Sequence, residues 1–423
     1  MKGSAPAWVI VSGLLLAGCT VAAGGSQRTV GVIKLGADLP LSGDDAPDGI
    51  PVKNAIDLAI RQAGAVCGAA SHQDACVQLQ AATYDDVSQG VHDPAKGAKN
   101  VQLLTGDPRV VAMVGPLYDS LARSELPVAN AEQLAMVTPA ASSECLTQEP
   151  PDGHCQGLSA RLRPRGPNNF FRVVTTQLVQ GAAAADLAFK FLGKRRAFLI
   201  NDQTAFGKGV ASSFAARFAQ DGGAIVDPSD LGAFDPGQSP NFGSRAQRAA
   251  ELGADVVYFA GGEIAAAAAL RREMATRMPQ VPMLGSDRLA GTQFAKSAGA
   301  SARGTYYTVV GPSPTNLRSA EAFVRDYRKL YGQAVGGYAL PAFDATNLVI
   351  AAIRRAIDDA GGRPPTRDQV LKQVSLTRGY RGAMGNMSFD AGGDTSLELI
   401  AAYQWMASTD AAGRFAAHLT VGS

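Results

Sequence analysis

Short apolar runs alternate with longer amphipathic stretches along most of the chain, starting at Val30. Residues 32–37 read as the first strand, and a helix is predicted from Pro51 to Gly64 after a loop rich in Gly, Pro and Asp. In that helix the apolar residues recur every three or four positions, so they share one face. Short strands that alternate with amphipathic helices are typical of a parallel sheet covered by helices. The pattern therefore predicts an α/β fold.

The alternation forms two series, which are separated by an irregular stretch at residues 142–169. The first series continues with predicted strands at 77–83, 110–114 and 135–137 and helices at 94–105 and from 120 onward. The second has predicted strands at 197–201, 224–226, 256–259 and 282–284 and helices at 206–219, 243–252 and 263–276. The strand at 282–284 is expected to close it. Helices at 319–331, 341–359 and 366–374 and a last strand at 397–405 follow.

Length and composition narrow the class of protein. The chain has 423 residues, more than one compact core usually holds, which predicts two domains. Lys and Arg (39) nearly balance Asp and Glu (37), so the basic excess of a nucleic-acid-binding protein is missing and no nucleic-acid partner is expected. The sequence contains no GxSxG, HExxH or phosphate-loop motif, so neither catalysis nor a cofactor is predicted.

The N-terminal residues carry an export pattern. Lys2 precedes an apolar stretch at residues 7–17, which is shorter than the about 20 residues that span a bilayer and has the length of a signal-peptide core. The stretch ends in Leu-Ala-Gly-Cys at residues 16–19, which resembles the lipobox of bacterial lipoproteins. The resemblance implies a signal peptide at 1–18, a lipidated Cys19 and a tether at 19–28. The alternative is an ordinary signal peptide with a coincidental cysteine.

Four cysteines remain after Cys19, an even number that suits disulfides in an oxidising compartment. Sequence proximity favours Cys67–Cys76 and Cys145–Cys155 over the two other connectivities. A zinc site is the competing idea, but neither spacing is CxxC-like and the four histidines form no ligand pattern, so no metal is predicted.

Several motifs resemble the leucine/isoleucine/valine-binding family of periplasmic proteins, which has the type I solute-binding fold. In chain order they include the IKLG and PLSG segments at residues 33–36 and 40–43, TYDD at 83–86, VGP at 114–116, TPAAS at 138–142, ND and FGKG at 201–202 and 206–209, ADVVYF at 254–259, FDA at 343–345, and SFD with GD at 388–390 and 393–394. Each motif alone is weak evidence for the resemblance, but the occurrence of all of them in the family's order across most of the chain is specific to this family.

The resemblance implies two Rossmann-like parallel-sheet lobes joined by three crossovers, with a ligand cleft between them. We place the crossovers near Val173, Ser286 and Ala391. Lobe 1 is then 29–173 plus 287–390, and lobe 2 is 174–286 plus 391–423. In open parallel sheets ligands bind at the carboxyl ends of the strands, which agrees with a cleft between two such edges.

The family holds an amino acid's carboxylate at the loop after the fourth strand and at the stretch after the fifth. Carried onto this chain, the second stretch is Ala140, Ala141 and Ser142. The serine of the first loop falls on Asp119, with Ser120 one residue late; either the turn shifts by one, or the ligand is not a plain amino acid, or Asp119 only caps the next helix.

Three further positions carry over with changes. Phe206 stands where the family often has a tyrosine over the ligand, and Glu263 lies two residues before the family's ammonium-binding acid. In the first loop, Asp48 replaces an aromatic residue. Position alone adds the candidates Ser42, Tyr118 and Asp287, which sit at predicted strand ends or in the loops that follow.

The function implied is the solute-binding lipoprotein of an ABC importer, attached to the membrane through its N-terminal lipid. Lobe closure traps an amino acid, an amide or a similar small polar molecule, and the closed form is then recognised by the permease subunits. The added acids predict a solute more polar or more cationic than leucine. The alternative is a ligand-sensing ectodomain of the same fold without a transport role.

Overall fold

The computed structural model describes Met1 and residues 28–150, 153, 155–235, 241–410 and 412–421. The predicted signal peptide beyond Met1, the lipidation site Cys19 and the tether up to residue 27 lie outside the described residues. None of the helices in the described part is long and apolar enough to cross a membrane.

The described residues form seventeen strands, and most of these belong to two sheets. They are β1 (Arg28–Leu39), β2 (Ala65–Cys67), β3 (Ala75–Asp85), β4 (Val87–Ser88), β5 (Val91–His92), β6 (Val110–Val114), β7 (Ala135–Thr138), β8 (Phe170–Arg172), β9 (Arg196–Asn201), β10 (Ala224–Ile225), β11 (Val256–Ala260), β12 (Met283–Gly285), β13 (Thr305–Val310), β14 (Tyr380–Arg381), β15 (Asn386–Met387), β16 (Leu399–Gln404) and β17 (Arg414–Thr420).

The helices cover the faces of these sheets. They are α1 (Ala46–Ala63), α2 (Pro94–Gly106), α3 (Asp119–Ala131), α4 (Leu158–Arg161), α5 (Gln177–Asp186), α6 (Ala205–Gln220), α7 (Phe242–Glu251), α8 (Ile264–Arg277), α9 (Thr292–Ala298), α10 (Glu321–Tyr331), α11 (Ala339–Asp359) and α12 (Arg367–Ser375). The α/β fold class that the pattern predicts is confirmed.

The first sheet has the strand order β2-β3-β1-β6-β7-β8 and is parallel except for β2. Its central strands are buried on both faces, and β6 has no exposed residue at all. One face packs on α1 and α11, which supply many residues of the largest core cluster. Apolar side chains on both faces need helices on both sides, which is why this lobe has three layers.

The second sheet has the order β10-β9-β11-β12-β13-β16-β17, with β9 to β13 parallel and the last two strands antiparallel. The prediction that 282–284 closes the series is wrong, because β13 pairs with β12 from Met283 to Gly285. Helix α9 also packs in the core of this lobe. The chain therefore returns to lobe 1 after Val310 rather than near Ser286, and residues 287–310 belong to lobe 2.

Both predicted disulfides are present. Cys67 and Cys76 face each other across the antiparallel pair β2–β3. Cys145 and Cys155 close a loop within the irregular stretch. Arg163 adds to the order of this stretch, since its guanidinium donates to the backbone carbonyls of Leu146 and Ser159. The pairing predicted from sequence proximity is confirmed.

Candidate functional site

Loops at the carboxyl edge of the first sheet bring aromatic and acidic side chains together. Tyr118 precedes α3, just after β6, and its hydroxyl donates to Asp48 Oδ2 at 2.9 Å. The Tyr118 ring stacks on the imidazole of His92, with 3.9 Å between the ring centroids. His92 Nδ1 in turn lies 2.7 Å from Asp45 Oδ2. The first turn of α1, the β4–β5 hairpin and the start of α3 are thereby fixed to one another.

Side chains of lobe 2 reach the same place. Asp287 and Arg288 follow β12 in a short 3-10 turn. The guanidinium carbon of Arg288 lies 5.9 Å from the centroid of the Tyr118 ring, and Tyr338, which precedes α11 in lobe 1, donates its hydroxyl to Asp287 Oδ2 at 3.2 Å. We call Asp48, Tyr118, Asp119, Asp287, Arg288 and Tyr338 the cleft group, because they lie near one another where residues of the two lobes meet.

The carboxyls of the cleft group lie among other side chains, although Asp48 as a residue stays exposed and Asp119 and Asp287 are half-buried. Burial raises the pKa of Asp48, against the hydrogen bond from Tyr118, which lowers it. Burial likewise raises the pKa values of Asp119 and Asp287. Burial lowers the pKa of Arg288, but the neighbouring Asp287 and the phenols outweigh it, so the net shift is upward. Arg288 is therefore a fixed positive charge among three carboxyls.

The stretch after β7 differs from the expected anion cradle. The backbone N–H groups of Ala140 and Ala141 donate to Thr138 Oγ1, at 3.1 and 2.9 Å, so both already have an acceptor. Ser142 is buried, and its carbonyl accepts the N–H of Gln177. The stretch thus borders the cleft, but two of its expected donors are engaged within the protein.

Asp119 does not cap α3. It is the first residue of the helix, and its Oδ1 accepts the backbone N–H of Ser143 at 3.0 Å. The N-cap position belongs to Tyr118, which makes no side-chain capping bond. The capping interpretation of Asp119 is wrong, because its carboxylate turns toward the loop after β7. Ser120 is exposed on the next position of the helix.

The other candidates make no hydrogen bond to the cleft group in the described structure. Ser42 Oγ donates to Asp85 Oδ2 at 2.7 Å. Phe206 is half-buried at the start of α6, where its ring packs against the core of lobe 2. Glu263 is the exposed N-cap residue of α8 and makes no side-chain capping bond.

Sequence reasoning missed Arg288 and Tyr338. Arg288 follows the candidate Asp287 directly, so its position after the strand could have identified it as a candidate as well. Tyr338 stands in a Gly-Gly-Tyr segment before a long helix, and nothing local in the sequence marks it as a cleft residue. Gln180 is a third residue near Asp287, and its side-chain amide donates to the carbonyl of Thr308 at 2.9 Å.

Only one group of possible metal ligands is found among the described residues, and it does not form a metal site. Glu144, Cys145 and Cys155 lie close together, but the two sulfurs are bonded to each other. A disulfide sulfur carries no thiolate to offer a metal.

Comparison with known proteins agrees with this architecture. The family model described as periplasmic binding protein matches residues 32–410. A Leu/Ile/Val-binding protein homolog 3 from Brucella melitensis is 25% identical over 376 residues, which are 88% of this chain and 91% of that protein. The crystal structure of the leucine-binding protein LivK from Thermotoga maritima superposes with a TM-score of 0.70 at 21% identity, over 92% of this chain and 99% of LivK.

A third similar protein carries a different ligand. The solute-binding protein of an ABC transporter from R. palustris, solved with 4-hydroxybenzoate, has a TM-score of 0.68 at 18% identity, over 92% of this chain and 97% of its own. These structures share the two-lobed fold described above. Because the family model spans most of the sequence, the chain belongs to the periplasmic binding protein family.

Proposed function

We propose that this protein is the extracytoplasmic solute-binding component of an ABC importer, which binds a small polar molecule between its lobes and catalyses no reaction. The observation that carries the proposal is the cleft group, in which side chains of both lobes converge on one place. A solute that contacts both lobes favours their closed arrangement, since only differential affinity for two states shifts their equilibrium. The names of the similar proteins support the same function.

The charges of the cleft group suggest the chemistry of the solute. Three carboxyls surround one guanidinium, so a ligand with a positively charged or donor-rich end and one acceptor end is complementary. Each of these carboxyls already accepts one hydrogen bond within the protein, and a carboxylate has further lone pairs that a donor on the ligand can meet. Polar or basic amino acids and small amides fit this description better than leucine.

Calorimetric titration with the amino acids, small amides and 4-hydroxybenzoate tests both statements. We expect saturable binding of a polar or basic amino acid or an amide, with weaker binding after Asp119→Ala or Asp287→Ala. If leucine, isoleucine or valine binds tightly and neither variant changes the affinity, the altered specificity is refuted. If no small solute binds at all, the solute-binding function is refuted.

We further propose that the exported protein is attached to the membrane through a lipid on Cys19, and that it delivers its solute to permease subunits. The support is the lipobox-like sequence at residues 16–19. We expect Cys19→Ala to release the protein from the membrane fraction without changing solute affinity, because Cys19 precedes β1 and is far in sequence from every residue of the cleft group. Fractionation of cells that express each form checks this, and a variant that stays with the membrane contradicts it.

A further inference from the structure

A second cavity opens on lobe 1, and none of its lining residues belongs to the cleft group. It has a volume of about 390 Å³ and lies between the end of α1, one face of α11 and the β14–β15 hairpin. This volume is within the range of about 300–1,000 Å³ that small-molecule pockets occupy.

The floor of the cavity is apolar and firmly packed. Phe343 and Ile350 line it from α11. Ile350 is only 4% exposed, and the Phe343 ring packs on that of Phe323 with 4.7 Å between centroids. Apolar side chains that are already held by the core can accept an apolar ligand body without a large ordering cost.

The wall is held in place by one buried acid. The carboxylate of Asp344 accepts the backbone N–H groups of Ala383 and Met384, at 2.8 and 2.7 Å, and so ties the β14–β15 hairpin to α11. Gly382 allows this approach, because a Cβ there would come within 2.3 Å of Asp344 Oδ2. The cavity is thus formed before any ligand arrives.

Two arginines at this cavity have no partner. Arg354, which is half-buried, and Arg381, which is exposed, line it, and neither guanidinium has a hydrogen bond or an ion pair within the described part of the chain. Asn347 and Tyr380 are further polar lining residues. The only acid in the lining is Asp344, whose two oxygens already accept backbone donors. Unpaired guanidinium groups are well suited to bind a carboxylate or a phosphate.

We propose that this cavity is a second binding site, separate from the cleft, for a small organic anion with an apolar body. The apolar part rests on Phe343 and Ile350, and the anionic group meets Arg354 and Arg381. The site does not depend on what the cleft binds, because the two share no lining residue.

Octanoate is a suitable probe, since it joins a carboxylate to an apolar chain. Calorimetric titration across the millimolar range should give saturable binding to the full-length mature protein, and octanol should bind more weakly. The double variant Arg354→Gln/Arg381→Gln should weaken octanoate binding by about tenfold or more, as the loss of charge-assisted hydrogen bonds requires. Arg328→Gln, which removes an exposed charge from α10 outside the cavity, should leave octanoate binding unchanged.

Two further variants test whether octanoate binds in this cavity or elsewhere on the protein. Ala351→Trp fills the cavity without a change of charge and should abolish octanoate binding while the thermal unfolding temperature stays close to wild type. Tyr118→Ala alters only the cleft and should leave octanoate binding intact. The proposal is overturned if octanoate shows no saturable binding, if the double variant binds it as well as wild type does, or if Tyr118→Ala abolishes the binding.

Discussion

Three carboxyl side chains are fully buried near the carboxyl ends of β1 and β3, namely Asp38, Asp86 and Glu125. Asn100 donates to Asp38 at 2.7 Å, but both carboxyl oxygens of Asp86 lack a hydrogen-bond partner in the described structure. Burial is the main cause that raises the pKa of Asp86 to about 8, and the charges of Asp38 and Asp85 add to it. Asp86 is therefore protonated at pH values where a carboxyl in water is ionised.

This proton links stability to pH. The folded protein holds it more tightly than the unfolded chain does, so the free energy of unfolding falls as pH rises from about 4 through about 8. We expect Asp86→Asn to flatten this slope and to stabilise the protein by about 1–3 kcal/mol above that range, because the amide carries no charge to desolvate. Urea unfolding at about pH 5 and about pH 9 measures the difference.

The matched control is Asp44→Asn, which removes an exposed carboxyl from the first loop. It should keep the wild-type slope. Equal slopes for Asp86→Asn and wild type would show that the Asp86 proton is not coupled to folding.

At the residue scale, the sequence predicted which residues lie near one another better than it predicted their hydrogen-bond partners. Tyr118 and Asp287 were predicted as site residues because strand ends in a parallel sheet meet at one edge, and Asp119 because the family resemblance places it there; in the structure the three lie near one another. That the Ala140 and Ala141 N–H groups are taken by Thr138 could not be predicted, because a side-chain-to-backbone bond of this kind depends on the turn geometry.

Among the elements, the ones that the sequence predicted best are buried on all sides. The range of β6 was predicted without error, since a short run of five consecutive apolar residues is typical of a buried strand. β13 and β17 were missed. Both mix small, polar and aromatic residues, because β13 joins parallel to antiparallel pairing and β17 is the edge of its sheet. Their burial depends on neighbours that are distant in sequence.

The third crossover is joined to lobe 1 by a buried ion pair. Arg172 at the end of β8 is fully buried, and its Nε lies 2.6 Å from Asp394 Oδ1 in the segment before β16. Its other nitrogens donate to the carbonyls of Ala141 and Ser143 and to Thr147 Oγ1. Asp394 is the carboxylate that pairs directly with this buried guanidinium.

We expect Asp394→Ala to destabilise the protein by about 3–5 kcal/mol, because it removes the ion-pair partner of the buried Arg172 guanidinium. Asp394→Asn should cost less, since the amide oxygen can still accept hydrogen bonds from Thr147 and Gln148. Asp326→Ala, which breaks a surface pair with Arg325, should cost no more than about 1 kcal/mol. Chemical denaturation of the three variants checks the order, and a loss for Asp394→Ala as small as that for Asp326→Ala would contradict it.

At the scale of the whole molecule, the order of motifs predicted two lobes and a cleft, but the middle crossover was misplaced. The relative position of the lobes could not be predicted, because it depends on a few contacts between residues distant in sequence. One of them is the hydrogen bond from Tyr338 of lobe 1 to Asp287 of lobe 2. Burial raises the pKa of Asp287, whereas the charge of Arg288 and this hydrogen bond from Tyr338 oppose the rise, so lobe contact and cleft charge are coupled.

Tyr338→Phe tests this coupling with the smallest possible change. A single hydrogen bond contributes about 0.5–1.5 kcal/mol, so its loss should reduce the population with contacting lobes and weaken solute affinity by about two- to tenfold. The radius of gyration of the solute-free protein should rise in small-angle X-ray scattering. Tyr331→Phe removes the same hydroxyl from a bond within lobe 1, to the carbonyl of Asn54, and should change neither quantity. If Tyr338→Phe also leaves both unchanged, the Tyr338–Asp287 contact does not hold the lobes together. Their contact then rests on the remaining cleft group, above all on Arg288 against Tyr118.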